Sequence, residues 1–296
     1  MVKRTLIIVI FLLVSALFIS SASDASQIYA YENSGTVIGS PKTYTVKVNE
    51  SLIEIARKFG IGYNEIVDAN PGIDPFIPGN GKTVHIPTIW ILPDLSPYDG
   101  IVINLSEMRL YNFSKHSAKI VRTFPIGIGS EGTETPVGIF KIVEKIEKPS
   151  WHVPASIKKE RPELPDVVPP GPDNPLGSHA LRLSSRSVLI HGTNRPFAVG
   201  RRASHGCIRM YPEDIPKLFQ AVPKGSKVTI IRQPVKIGLL NKRVYIEVHK
   251  DQSIQTNYFN EAVKLLRKNN LYEESDKQKM LTALRDKKGI PVDISP

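Results

Sequence analysis

Cys207 is the only cysteine in this 296-residue chain, so no internal disulfide can staple the fold. Each domain must be held by its own hydrophobic core. At 41% hydrophobic residues the chain carries enough apolar surface for two such domains. The 24 prolines favour strands, turns and extended links over long helical bundles, because proline lacks the amide donor a helix interior needs.

The beginning of the chain points to export. Lys3 and Arg4 precede an apolar run over 6–19, followed by Ser20, Ser21, Ala22 and Ala25, the order of a secretory signal. Residues 1–25 are therefore read as a signal peptide. The run is shorter than the roughly 20 residues that span a bilayer, and an uncleaved membrane anchor is the alternative. The net charge of +11 and the pI near 9.6 suit nucleic acid, an anionic membrane or a polyanionic wall polymer. Residues 1–25 hold only Lys3, Arg4 and Asp24 as charges, so the basic balance stays with an exported chain, and no nucleic-acid partner is expected. In an oxidising compartment a lone cysteine is either a buried small hydrophobe or a reactive thiol.

The surroundings of Cys207 favour the reactive thiol. Residues 191–209 read HGTNRPFAVGRRASHGCIR. A thiol nucleophile needs a base and a backbone oxyanion site. His191 is the candidate base, and His205, two residues before Cys207, is the second candidate. Gly206 lets substrate approach the backbone, and the amides of Gly206 and Cys207 are candidate oxyanion donors. The Gly192 carbonyl is placed to orient the His191 ring. Ser204 adds a hydroxyl to the motif. Each histidine taken alone also fits a structural role. The whole segment reads as a cysteine acyl-transfer site, with no metal and no cofactor.

The remaining chain divides around that segment. Residues 26–41 show no apolar periodicity and read as a leader or linker. Residues 42–88 form a compact βααβ module: a strand at 43–48, a helix begun by the Ser51/Glu54 capping box and ended near Gly60, a second helix at 64–69 and a closing strand at 84–87. Residues 88–98 read as a linker or a strap. Within 98–233 short strands follow at 100–104, 109–112, 120–128, 138–145, 180–184, 187–190 and 228–232, with a short helix at 214–220, which predicts a mainly β domain of sandwich or barrel type. Residues 149–177 carry many prolines and no periodic element, as expected of a lid or binding loop. Trp151 there is either a substrate contact or a loop anchor. Residues 234–296 form a partly helical extension, with a strand at 244–248, helices at 258–268 and 276–286, and Leu265, Leu266, Leu281 and Leu284 as core.

Two resemblances give these readings a family. Tyr44-Thr45-Val46, Ser51-Leu52, Ile55-Ala56, Ala69-Asn70-Pro71 and Val84-His85-Ile86-Pro87 make residues 42–88 similar to a LysM domain. That resemblance implies binding of N-acetylglucosamine-containing glycan such as peptidoglycan; the same pattern also suits a module that merely folds. His191-Gly192-Thr193 with Ser204-His205-Gly206-Cys207-Ile208-Arg209 resembles the signature of the YkuD-type L,D-transpeptidases. Pro125-Ile126-Gly127-Ile128-Gly129, Thr135-Pro136-Val137-Gly138 and residues 171–177 match the ErfK/YbiS/YcfS/YnhG branch.

The resemblance implies a YkuD-like β-sandwich and a peptidoglycan stem tetrapeptide as acyl donor. Cys207 attacks the carbonyl of the third residue, D-alanine leaves, and an amine resolves the thioester, either on another stem (a 3→3 crosslink) or on an outer-membrane lipoprotein. Arg209 orients the motif or binds a substrate carboxylate, and Thr193 and Trp151 are the other candidate substrate contacts. The branch places the protein in the periplasm. A water-using peptidase or amidase and a non-catalytic wall-binding protein are the competing readings. The sequence leaves the oligomeric state open.

Overall fold

A computed structural model of the chain describes residues 27–32, 35–114, 119–185 and 188–296; the signal-type segment 1–25 lies outside them. Among the described residues no helix is long and apolar enough to cross a membrane.

The N-terminal elements are β1 (Gln27–Ala30), β2 (Val37–Gly39), β3 (Lys42–Thr45), α1 (Leu52–Lys58), α2 (Tyr63–Ala69), β4 (Thr83–Ile86) and β5 (Ile89–Ile91). The capping box at α1 is present: the Glu54 amide donates to Ser51 Oγ at 3.2 Å, and Ser51 N donates to Glu54 Oε2 at 2.9 Å. Strands β3 and β4 pair antiparallel around the two helices, giving the expected βααβ order. Residues 26–41 are not a free leader. β1 joins the large sheet through β8 (Ile120–Pro125), and β2 pairs with β5. Residues 88–98 act as a strap, with Trp90 of β5 almost fully buried. These strands are three or four residues long, too short for alternation to show, and their partners are distant in sequence.

The central domain continues with β6 (Gly100–Asn104), β7 (Arg109–Phe113), β8, β9 (Ile128–Gly129), β10 (Gly138–Glu147), β11 (Trp151–His152), α3 (Ala155–Glu160), β12 (Val167–Val168), β13 (His179–Leu183), β14 (Leu189–His191), β15 (Arg202–Ser204), β16 (Ile208–Arg209), α4 (Ile215–Ala221) and β17 (Lys227–Ile231). Nine strands form one sheet in the order β1-β8-β7-β6-β17-β10-β13-β14-β16. The mainly β domain expected from the sequence is present as a sheet that curls back on itself. Ile103, Leu110 and Phe124 from its early strands pack in one cluster with Ile190 and Ile208 from its last two. Reciprocal backbone bonds of 2.9 Å between Gly127 and Arg209 tie the segment after β8 to β16 and close the curl.

The central strand β6 is buried along its whole length. Ile101 and Ile103 face the inner core, whereas Val102 faces a second cluster shared with Leu52, Ile55, Ile66 and Trp90. The small βααβ module therefore uses the outer face of the nine-stranded sheet as part of its own core. Burial on both faces explains why β6 reads as a continuous apolar run rather than an alternating one.

The C-terminal extension holds β18 (Val235–Leu240), β19 (Arg243–Val248), α5 (Tyr258–Lys268), α6 (Lys277–Asp286) and β20 (Val292–Asp293), with the three strands in one sheet. Helix α6 buries Met280, Ala283 and Leu284. Leu281, expected in the core, is exposed, because it lies about 100° around the helix from Met280. The extension is joined to the rest through a fully buried ammonium. Lys236 Nζ lies 2.7 Å from Glu107, 2.9 Å from Glu247 and 2.7 Å from the Ile91 carbonyl.

Candidate active site

The site lies where β14 and β16 run parallel, with Ile190 opposite Ile208 and His191 opposite Arg209. Ile190 and Ile208 are fully buried in the inner core. Side chains alternate across a strand, so Leu189, His191, Arg209 and Cys207, which immediately precedes β16, share the other face. The Leu189 backbone hydrogen-bonds the Cys207 sulfur. Strand register thus places Cys207 and His191 on the same face of the sheet.

His191 is 3% exposed, and its Nδ1 lies 2.6 Å from the Gly192 carbonyl. A carbonyl only accepts, so Nδ1 carries the proton and Nε2 is left as the basic nitrogen. Burial, aided by the Arg209 charge, lowers the His191 pKa to about 4, which keeps the ring neutral at neutral pH. Burial likewise raises the Cys207 thiol above its ordinary range; the Leu189 hydrogen bond and the Arg209 and Arg182 charges oppose that rise without overcoming it. The resting pair is therefore neutral thiol and neutral imidazole, not a preformed ion pair.

Cys207 follows a tight turn at Gly206, whose φ is +92°, a conformation that favours glycine. Ser204 Oγ donates to the Cys207 carbonyl at 2.5 Å. A loop that sequence reasoning treated only as a family motif holds the same turn. The Ser130 amide and Thr133 Oγ1 reach the Ser204 carbonyl at 2.9 and 3.1 Å, and buried Thr135 donates its hydroxyl to the Gly206 carbonyl at 3.0 Å. Small hydroxyl residues between strands give no periodic signal, so only the tertiary structure exposes this role.

His205 faces solvent and the end of α3, where its Nε2 lies 3.4 Å from Glu160. Residues 149–177, expected to lack periodic elements, hold a hairpin of β11 and β12 carrying α3. Two-residue strands and a six-residue helix with no buried residue are invisible to periodicity. Trp151 is half-buried in this hairpin, paired with Val168. Fully buried Asn174 ties the segment together by donating to the carbonyls of Pro149, Val168 and Pro169. The far end of the segment packs on Gly192 and Thr193: a Cβ on Gly177 would lie 2.8 Å from the Thr193 amide. Thr193 Oγ1 itself accepts from the Arg195 amide. Arg209 keeps a buried Nε without a hydrogen-bond partner.

Among the described residues, Glu107, Glu247 and His249 are the one group with metal-ligating atoms close together. The Lys236 ammonium sits on both carboxylates, so the protein's own cation fills that place.

Comparison with known proteins agrees with this geometry. Residues 98–230 match the model of the L,D-transpeptidase catalytic domain, YkuD, and residues 44–75 match the LysM domain. The chain is 38% identical over 274 residues to the probable L,D-transpeptidase ErfK/SrfK of Salmonella typhimurium, covering 88% of each chain. The chain belongs to the L,D-transpeptidase family. This L,D-transpeptidase is also 41% identical over 229 residues to the probable L,D-transpeptidase YcfS of Escherichia coli, covering 73% of the present chain and 70% of that one. Against the NMR structure of the catalytic domain of the Enterococcus faecium L,D-transpeptidase, identity is 22% and the TM-score 0.37, over 47% of this chain and all of the other. The enzyme is thus a transpeptidase whose family acts on peptidoglycan, and it carries a LysM module as its second part.

Proposed function

We propose that Cys207 is the acyl-carrying nucleophile and His191 its proton shuttle. The observation that carries this reading is the His191 Nδ1 contact with the Gly192 carbonyl, which leaves Nε2 basic on the sheet face that holds Cys207. Cys207 Sγ attacks the carbonyl carbon of the third residue of a stem tetrapeptide while its proton passes to His191 Nε2. The backbone amides around Gly206 and Cys207 receive the oxyanion. As that carbon's bond to the D-alanine nitrogen breaks, His191 returns the proton to the leaving amine, and a thioester remains. An acceptor amine then attacks the thioester, gives its proton to His191, and the proton ends on the departing sulfur.

The acceptor is an amine of another stem peptide or a lysine of an outer-membrane lipoprotein, and the setting is the periplasm after export by residues 1–25. The basic charge balance suits an anionic wall polymer. Arg209, with its unpartnered buried Nε, is placed to hold a substrate carboxylate.

Incubation of the purified enzyme with a carbapenem, followed by intact-mass measurement, tests the nucleophile. A single adduct absent from C207A is expected; no adduct, or one that survives C207A, overturns it. Incubation with tetrapeptide-bearing muropeptides then names the acceptor, with crosslinked products separating transfer from hydrolysis.

A further inference from the structure

We infer that Thr135 is a positioning residue for the oxyanion site: its buried hydroxyl fixes the Gly206–Cys207 peptide plane and so aims the Cys207 amide at the reacting carbonyl. This inference rests on the acyl-transfer reading of Cys207.

The Thr135 hydroxyl is used twice. It accepts from the Gly129 amide at 3.0 Å and donates to the Gly206 carbonyl at 3.0 Å. Thr135 is 2% exposed, so water does not compete for either partner. In a trans peptide the carbonyl and the next amide hydrogen point in opposite directions. Holding the Gly206 oxygen on the Thr135 side therefore turns the Cys207 N–H to the opposite side. The carbonyls two residues before and one residue after are held too, Ser204 by Ser130 and Thr133 and Cys207 by the Ser204 hydroxyl. Gly206 has left-handed backbone and no side chain to lock its own plane, so without the hydroxyl this plane is the free hinge of the turn.

The approach of the pinning loop is itself built in. A Cβ on Gly129 would meet the Thr133 carbonyl at 2.2 Å and the Thr135 amide at 2.7 Å. Only glycine there lets β9 lie against residues 133–135 closely enough for the Thr135 hydroxyl to bridge them. Thr135 touches neither substrate nor sulfur. Its contribution is to an amide whose hydrogen bond matters in the tetrahedral state and little in ground-state binding.

The test compares wild type, T135V and T135S in carbapenem acylation, in alkylation by iodoacetamide, and in amide hydrogen exchange over 204–207. T135V keeps the shape and removes the hydroxyl that pins the turn; its limiting acylation rate is expected to fall about 10–100-fold, less than the roughly 100–1,000-fold lost with a whole oxyanion donor. The half-saturating concentration and the alkylation rate, which needs no oxyanion, should change less than about 3-fold, and T135S should recover most of the loss. Exchange over 204–207 should speed up in T135V and return in T135S. Acylation of T135V at the wild-type rate, or acylation and alkylation falling together, overturns the inference. If wild type itself gives no adduct, the acyl-transfer reading fails, and the exchange data still decide whether Thr135 pins the turn: unchanged exchange refutes it. Should T135V not fold, T135A serves the same comparison, with the same outcomes deciding it.

Discussion

Glu65 of helix α2 and Arg109 of strand β7 form a bidentate ion pair, 2.8 and 2.9 Å long, with side chains 3% and 0% exposed. The pair joins the LysM module to the catalytic sheet. Trp90 from the intervening strap donates its indole N–H to Glu65 Oε1 at 2.8 Å and lies under the guanidinium, 4.1 Å from ring centre to Cζ. Three segments remote in sequence thus converge on one desolvated charge pair.

Breaking one side of that pair leaves a buried charge without a counterion. E65A is expected to destabilise the enzyme by about 3–5 kcal/mol, read from urea unfolding. An apolar double replacement, E65L/R109M, should recover a large part of that loss. If E65A unfolds at the wild-type midpoint, the two domains are not coupled in this way.

The depressed His191 pKa sets a pH dependence of both activity and stability. With His191 as the proposed base, the acylation rate should hold from pH 8 down to about pH 5 and fall with a midpoint near the pKa of about 4, not near 6.5. In the unfolded chain His191 takes up its proton near pH 6.5. Between about pH 6.5 and 4 the unfolded state therefore binds more protons, and stability falls as pH falls through that window, by up to about 3 kcal/mol. H191N should flatten this part of the stability curve. An acid limb centred near pH 6.5 would contradict the buried, neutral base.

Asn174 holds residues 149–177 together through one side chain. Its amide donates to three carbonyls, and its Oδ1 accepts from the Leu176 amide at 2.8 Å. N174A leaves those buried groups unpaired, at about 1–3 kcal/mol for each that stays dry. Hydrogen exchange should rise across 149–177 while β10 and β13 keep their protection, and acylation should weaken mainly through a higher half-saturating concentration. N174D, which cannot donate, should do no better; protection of 149–177 unchanged in both variants would show that Asn174 does not hold the segment.

Much of the local structure was legible from the chain. The Ser51/Glu54 capping box, the 100–104 strand, the α5 boundaries and the His191 and Cys207 motifs depend on neighbours within a few residues, where residue type and spacing carry the physics directly. Membership in the transpeptidase family was legible for the same reason, since the motifs around Cys207 are contiguous. What stayed hidden depends on contacts between distant segments. Nothing local in the sequence distinguishes the buried pairs of Arg109 with Glu65 and of Lys236 with Glu247 from solvated charges. The hydroxyls of Ser130, Thr133 and Thr135 read as loop residues until the fold laid them against the Ser204–Cys207 turn.

Sequence by itself singled out the candidate reacting groups, Cys207 and His191, and the module that precedes them, through short-range spacing. Only the tertiary structure decided how those groups are aimed. The register of β14 on β16, the curl closed by Gly127 and Arg209, and the Thr135 pin on Gly206 all arise from pairing across tens of residues, where backbone hydrogen bonds and burial choose the partner and no local pattern records the choice.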